Sequence, residues 1–250
     1  MTKQHFYLIR GLIREKGHWG NFHEHLKGHF PDSVVTALDI PGAGEYFQSA
    51  SPLSVGEMVE RMRRDYLKAR IEGEESYLIS ISLGGMISVE WMKRYPKDFL
   101  KATLINTSMG GISPLHHRLR PAAFFHLIKT AFLRGRNKEA FIIKLICNNK
   151  DYYQKTLNLW DEIQKERPVS LSNALRQLFA AATYIPGDFV PSIPVQLLAG
   201  VLDRMVNVNC SRGIASKWEV PLSEHPTAGH DLTVDDSSWV SSKIKEFIAP

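Results

Sequence analysis

Short apolar runs alternate with helical stretches along most of the chain. The runs have the length and the β-branched content of strands, and the clearest helical stretches are residues 54–72 and 237–248. The apolar runs lie at residues 6–9, 34–38, 77–81, 102–105, 195–199 and, more weakly, 218–220. Uninterrupted apolar strands separated by helices predict an α/β fold, with a mostly parallel central sheet that helices cover on both faces.

The alternation stops between residues 113 and 192, a segment that is helical in pattern, basic and aromatic. A structureless loop of that length is uncommon inside a compact domain. We therefore predict a core formed by residues 1–112 and 193–250, with residues 113–192 inserted as a helical cap. Parallel strands place their carboxyl ends along one edge of the sheet, and the cap leaves from that edge. The cap should therefore cover a site there.

The apolar run that ends at Ser82 carries the strongest chemical signal, because a helical stretch follows it directly, up to Pro96. Ser80 and Gly84 stand two residues before and after the serine. A tight strand-to-helix turn needs such small residues, and it holds a serine hydroxyl clear of the backbone as a nucleophile. The alternative is that Ser82 is an ordinary helix N-cap.

A serine hydroxyl becomes an effective nucleophile only when a base takes its proton and an acid orients the base. Asp203 follows the fifth apolar run, and His230 precedes the last helix. Asp231, Asp235 and Asp236 are alternative partners for the histidine. Asp203 is preferred, since Asp231 is the direct neighbour of His230 and cannot readily face the same ring.

Four motifs follow one another along the chain. They are the turn at Ser82, G-x-x-D-x-x-V from Gly200, G-H-x-x-x-x-D from Gly229, and D-x-P-G-x-G from Asp39. Together they resemble the α/β-hydrolase superfamily, and the resemblance spans nearly the whole chain. It implies that Ser82 is the nucleophile, His230 the general base and acid, and Asp203 the group that fixes the imidazole tautomer.

The resemblance also implies an oxyanion hole, formed by the backbone N–H groups of Leu83 and Leu12. The family usually has His-Gly before the second donor, whereas this chain has Arg10 and Gly11. Gly11 keeps the backbone freedom of the loop, and Arg10 replaces a residue that usually supports it. Arg10, Gly11 and, on the cap, Phe125 are the candidate substrate-binding residues.

Two further departures from the family concern the sheet and the serine turn. Ser80 stands where glycine is commonest. The chain also begins almost at the family's third strand, so we expect the leading hairpin to be missing and the sheet to be shorter at one edge.

Composition narrows the class of protein. The chain has 250 residues, which fits one domain with an insertion. It has no run of about 18 apolar residues and no signal-peptide pattern, so we expect a cytoplasmic protein without stable membrane insertion. The net charge of +5 is spread along the sequence, which argues against nucleic-acid binding. Two isolated cysteines, and histidines that lack the H-E-x-x-H spacing, predict neither metal nor cofactor.

The preferred function is a serine hydrolase that cleaves a small carboxylic ester or thioester with an apolar portion. The turn and the single cap resemble the branch that contains carboxylesterases and hydrolases of menaquinone and biotin pathways. Alternatives on the same three residues are C–C bond hydrolysis or elimination, and amide hydrolysis. A catalytically silent binding protein is a further alternative, and a homodimer is left open. The basic stretch at residues 124–134 is interpreted as a cap helix over the pocket, or else as a membrane-surface helix.

Overall fold

The computed structural model describes residues 3–249 and contains one six-stranded sheet, in the order β2-β1-β3-β4-β5-β6. Every neighbouring pair of strands in it is parallel. The strands are β1 (Gln4–Ile9), β2 (Val34–Leu38), β3 (Glu75–Ile81), β4 (Lys101–Ile105), β5 (Val195–Gly200) and β6 (Leu222–His225). The α/β fold expected from the sequence is confirmed.

Helices join consecutive strands, as parallel pairing requires, and two more helices follow the last strand. In chain order they are α1 (Phe22–His29), α2 (Val55–Ala69), α3 (Leu83–Arg94), α4 (Leu115–Arg118), α5 (Pro121–Ala131), α6 (Gly135–Ile146), α7 (Tyr153–Glu166), α8 (Leu171–Thr183), α9 (Asn209–Trp218), α10 (Leu232–Asp235) and α11 (Ser237–Ile248).

Alternate residues of the central strands point into two separate apolar layers. Tyr7 and Leu78 belong to the layer that contains α2 and α3, whereas Phe6 and Ile79 belong to the layer that contains α1 and α11. Side chains of successive strand residues point to opposite faces of a sheet. Strands buried on both faces must therefore be apolar at every position, which is why they are visible in the sequence.

The sixth strand was predicted at the wrong place. Trp218 is the last residue of α9, Glu219 follows it in a left-handed conformation with φ 55°, and β6 begins at Leu222. Trp218 is buried, and its indole N–H donates to the Phe189 carbonyl at 3.0 Å. Its apolar side chain therefore belongs to the buried face of a helix and does not mark a strand. β6 is a half-buried edge strand with a polar sequence, and it therefore lacks the apolar signal.

Between β4 and β5 the chain forms the helices α4 to α8, and residues 113–192 contain no strand. Apolar residues of α5, α6 and α7, among them Ile142, Leu157 and Trp160, form a third core of their own. The boundaries of the cap remain a prediction, and its helices adjoin the edge of the sheet where Ser82 lies.

Candidate active site

Ser82 occupies a strained turn between β3 and α3, with φ 56° and ψ −117°. Its backbone is fixed on both sides, since its N–H donates to the Ile105 carbonyl at 2.9 Å and its own carbonyl accepts from Thr107 Oγ1 at 2.8 Å. A Cβ on Gly84 would lie 2.5 Å from the Ile9 carbonyl oxygen. The glycine is therefore needed for α3 to pass the end of β1.

His230 and Asp203 come together from two neighbouring loops. His230 Nδ1 lies 2.7 Å from Asp203 Oδ2, and both side chains are buried. The other carboxylate oxygen, Oδ1, accepts the backbone N–H groups of Met205 and Val206 at 2.7 and 2.9 Å. The loop after β5 thus holds the carboxylate in a fixed orientation, with Oδ2 left for the imidazole.

The charge of Asp203 sets the protonation of His230. Burial works to lower the pKa of His230, but the charge and hydrogen bond of Asp203, together with the weaker effect of Asp231, raise that pKa above its ordinary value. Asp231 is also buried, yet it faces Arg10, which donates to both of its oxygens. Burial would raise the pKa of Asp231, and the guanidinium holds it below its ordinary value. Asp231 is therefore engaged away from the imidazole ring.

Ser82 and His230 line one small cavity of about 40 Å³, together with Gly11, Leu12 and Arg10. A second cavity of about 70 Å³ adjoins it and is mainly apolar; its lining includes Leu12, Ser82, Leu83, Met86, Leu119 and Leu178. No hydrogen bond joins Ser82 Oγ to His230 within residues 3–249. Catalytic hydrogen bonds often tighten only when substrate binds.

Leu12 and Leu83, the residues predicted to supply the oxyanion donors, line the second cavity together with Ser82. Within the described part of the chain, the N–H groups of Leu12 and Leu83 have no hydrogen-bond acceptor, and Leu83 is the first residue of α3. A Cβ on Gly11 would lie 3.1 Å from Ser82 Cβ, so the loop after β1 passes close to the serine. Free N–H groups at a helix start favour negative charge.

The model of the alpha/beta hydrolase family matches residues 7–242. The chain belongs to the α/β-hydrolase family. It is accordingly a hydrolase, and the expected family is confirmed. No curated protein sequence matches the chain significantly.

Solved structures of other α/β-hydrolase-fold proteins are similar over almost the full length. A membrane phospholipase A, described as a bacterial virulence factor, has a TM-score of 0.77 at 21% identity, over 98% of this chain and 78% of that one. A lipase-esterase related protein from Clostridium acetobutylicum has 0.77 at 17% identity, over 99% and 95%. Carboxylesterase CesB from Bacillus subtilis has 0.72 at 18% identity, over 99% and 84%. At such identities the likeness shows the fold.

Sequence reasoning missed the residues that hold the loop after β1 in this hydrolase. Ile13 has a positive φ of 54°, and its N–H donates to Gln177 Oε1 at 2.9 Å. The next residue, Arg14, pairs with the fully buried Glu139 at 2.8 Å. Glu15 pairs with Arg167, which donates through Nε and Nη2 at 2.7 and 2.9 Å.

These partners come from α8, from α6 and from the end of α7, so three parts of the 113–192 segment contact one short loop. The sequence contained one signal for them. Glu139 is the only acidic residue between residues 113 and 150, and an isolated acid in a basic segment suggests a specific partner.

Phe125 and Arg10, two of the residues expected to bind substrate, differ in where the structure places them. Phe125 is 63% exposed and lines neither cavity beside Ser82, whereas Leu127 lines both. The helix turns Phe125 outward, because positions 125 and 127 are about 200° apart around its axis. Arg10 lines the first cavity, and its charge is paired with the buried carboxylate of Asp231.

Proposed function

We propose that the protein is a serine hydrolase that cleaves a small carboxylic ester or thioester through an acyl-enzyme. The observation that carries the proposal is the bond of 2.7 Å between His230 Nδ1 and Asp203 Oδ2, beside a cavity that also contains Ser82 on its strained turn. A nucleophile, a base and an orienting acid on three separate loops at one sheet edge are the arrangement that acyl transfer needs.

In the first step Ser82 Oγ attacks the carbonyl carbon of the substrate. His230 accepts the hydroxyl proton at Nε2, because its Nδ1–H is donated to Asp203 and the free lone pair then lies on Nε2. The same carboxylate stabilises the imidazolium that forms. The positive φ of Ser82 supports this role, since strain at such a turn is maintained only where the surrounding structure fixes it.

The carbonyl oxygen becomes an oxyanion in this step, and the N–H groups of Leu12 and Leu83 then bind it. Preorganised donors of this kind are worth about 3–4 kcal/mol each in related chemistry. His230 then gives its proton to the leaving alcohol or thiol. Water, activated by the same imidazole, releases the acid from Ser82 and restores the enzyme.

The second cavity supports a substrate with an apolar acyl portion. Its lining includes Leu119, Leu127, Leu178 and Met86. Both cavities are small, so a long chain would fit only if the helices above them moved. We therefore infer that the enzyme, in the conformation described, accepts esters and thioesters with short acyl groups.

Labelling with a fluorophosphonate tests the nucleophile, because the probe reacts with an activated serine. We expect one adduct at Ser82 and none in Ser82→Ala or His230→Gln. Ser108 provides the matched control, since it lines the second cavity and its buried hydroxyl has no hydrogen-bond partner among the described residues. Ser108→Ala should label normally. Folded wild-type protein that fails to react, or an adduct at Ser108, would overturn the proposal.

A panel of p-nitrophenyl esters and acyl-CoA thioesters of increasing acyl length then defines the substrate. We expect kcat/KM to be highest for short apolar acyl groups. Hydrolysis of amides or of C–C bonds, with esters left intact, would replace the proposed ester specificity while keeping the nucleophile.

A further inference from the structure

Helix α5 is apolar on two opposite faces. On the inner face Ala123 is buried and Leu127 lines both cavities beside Ser82. The outer face and the residue that ends the helix carry four large apolar side chains, all exposed: Phe124, Phe125, Ile128 and Phe132. At helical spacing these four fall within a sector of about 100°. They form one stripe, which we call the α5 stripe.

It is unusual for a protein surface in water to expose four large apolar side chains side by side, as the α5 stripe does. Phe125 is 63% and Phe132 is 83% exposed. Single exposed apolar side chains are common, whereas contiguous patches of them mark interaction sites. The inner face of α5 is already occupied by its own core, so the stripe is free to contact something outside this chain.

The charge of residues 113–150, the segment that contains the stripe, indicates what that partner is. Between residues 113 and 150 the only acidic residue is Glu139, which is fully buried against Arg14. The same segment carries five exposed basic residues: Lys129, Arg134, Arg136, Lys144 and Lys150. Arg136 lies 3.8 Å from Asp161, and within residues 3–249 the other four form no ion pair. The partner should therefore be apolar and negatively charged.

We propose that the α5 stripe docks the protein on the surface of an anionic phospholipid bilayer. The aromatic side chains would enter the boundary between headgroups and acyl chains, while the lysines and arginines contact lipid phosphates. A second copy of this chain fits less well. A twofold dimer through the stripe would set Lys129 and Arg134 against the same residues of the other copy, and the segment 113–150 has no exposed acid to neutralise them.

Docking in this way would put helix α5 between the bilayer and the cavities beside Ser82, because the helix carries the stripe on one face and Leu127 on the other. The binding itself requires no catalysis. It can therefore be measured on Ser82→Ala, and its outcome does not depend on the proposed hydrolysis.

Vesicle co-sedimentation tests the proposal. Vesicles of phosphatidylcholine mixed with phosphatidylglycerol should bind the protein, vesicles of phosphatidylcholine alone should bind it much less, and added salt should weaken binding. The variant Phe125→Ser/Phe132→Ser should bind at least tenfold more weakly. Both side chains are exposed, so the fold should be unaffected. Lys129→Glu/Arg134→Glu should lose the preference for anionic vesicles.

Ile71→Ser/Leu100→Ser is the matched control. These side chains are 52% and 48% exposed, but they precede β3 and β4 and so lie at the opposite edge of the sheet. The control should bind vesicles like the wild type. Equal binding by the α5 and control variants would overturn the proposal. So would a wild-type dimer in light scattering that Phe125→Ser/Phe132→Ser converts to monomer, since the stripe would then belong to a second copy.

Discussion

Two loops meet at Ser82, and they are held in place in different ways. The turn that carries the serine is fixed by neighbouring backbone, through the bonds to Ile105 and Thr107 and the close approach of Gly84 to β1. The loop with Leu12 is fixed by distant side chains of the 113–192 helices, including Gln177 and Glu139. The proposed nucleophile is thus independent of those helices, whereas one proposed oxyanion donor depends on them.

The side chain of Asp203 is also held by neighbouring backbone, and Asp203→Asn should have the largest effect. The two backbone N–H groups that bind Oδ1 would hold the amide oxygen, so the NH₂ group would face His230. Nδ1 must then accept, the proton moves to Nε2, and the lone pair that deprotonates Ser82 is lost. We expect kcat to fall by about 10⁴-fold with little change in KM.

Steady-state kinetics with a p-nitrophenyl ester measures this loss. Asp235→Asn is the control, because Asp235 is also buried and accepts the Gly229 N–H at 2.6 Å without touching the imidazole. It should affect stability more than kcat. A loss below tenfold in Asp203→Asn would mean that another group orients His230.

Gly84→Ala tests the turn at Ser82, which neighbouring backbone holds in place. The new methyl group would lie 2.5 Å from the Ile9 carbonyl oxygen and 2.6 Å from that of Arg10, and backbone atoms cannot move aside easily. We expect the free energy of unfolding in urea to fall by about 1–3 kcal/mol. Gly28→Ala is the counterpart in α1, where nothing lies within 4 Å of the added methyl, and it should stabilise by about 0.4–1 kcal/mol. Similar effects in both would show that the turn is not tightly packed.

The difference between local contacts and contacts from distant parts of the chain also explains which features could be predicted from the sequence. Ser82 and Asp203 follow apolar strands, and glycines stand close to Ser82 and His230. Both properties are local, so the positions of the three residues along the sheet edge could be inferred. The contact of Gln177 with Ile13 joins residues far apart in the chain. It depends on how the helices of the 113–192 segment fold back, for which no local pattern exists. The misplaced sixth strand has a related cause, since an exposed edge has little apolar signal.

Gln177→Met tests the loop with Leu12, which distant side chains hold in place. Gln177 is fully buried, and methionine has a similar volume but offers the Ile13 N–H no good acceptor. Ile13 should then relax from its positive φ and move the Leu12 N–H. We expect kcat to fall by about 10–100-fold, less than the loss of a whole oxyanion donor, with KM nearly unchanged. A boronic acid that mimics the tetrahedral intermediate should bind correspondingly more weakly.

Asn173→Met is the matched control for that prediction. Asn173 is a buried amide on the same helix, but it donates to the carbonyls of Gly42 and Ser49, in the loop after β2. It should destabilise the fold without a selective loss of kcat. Equal kinetic effects in the two variants would mean that Gln177 acts on stability alone.

The smallest expected effect is a shift of the pH profile, because the Asp203 carboxylate raises the pKa of His230. The neutral imidazole is the base, so kcat/KM should rise with pH through an apparent pKa above the ordinary histidine value. The contribution to stability has the opposite sign. A pKa raised by folding stabilises the protein fully below the unfolded pKa, and this gain is lost as pH rises through the folded value.

Proton NMR of the His230 ring, assigned with His230→Gln, measures the pKa directly. A value below that of free histidine would show that burial outweighs Asp203, and the carboxylate would then contribute orientation alone.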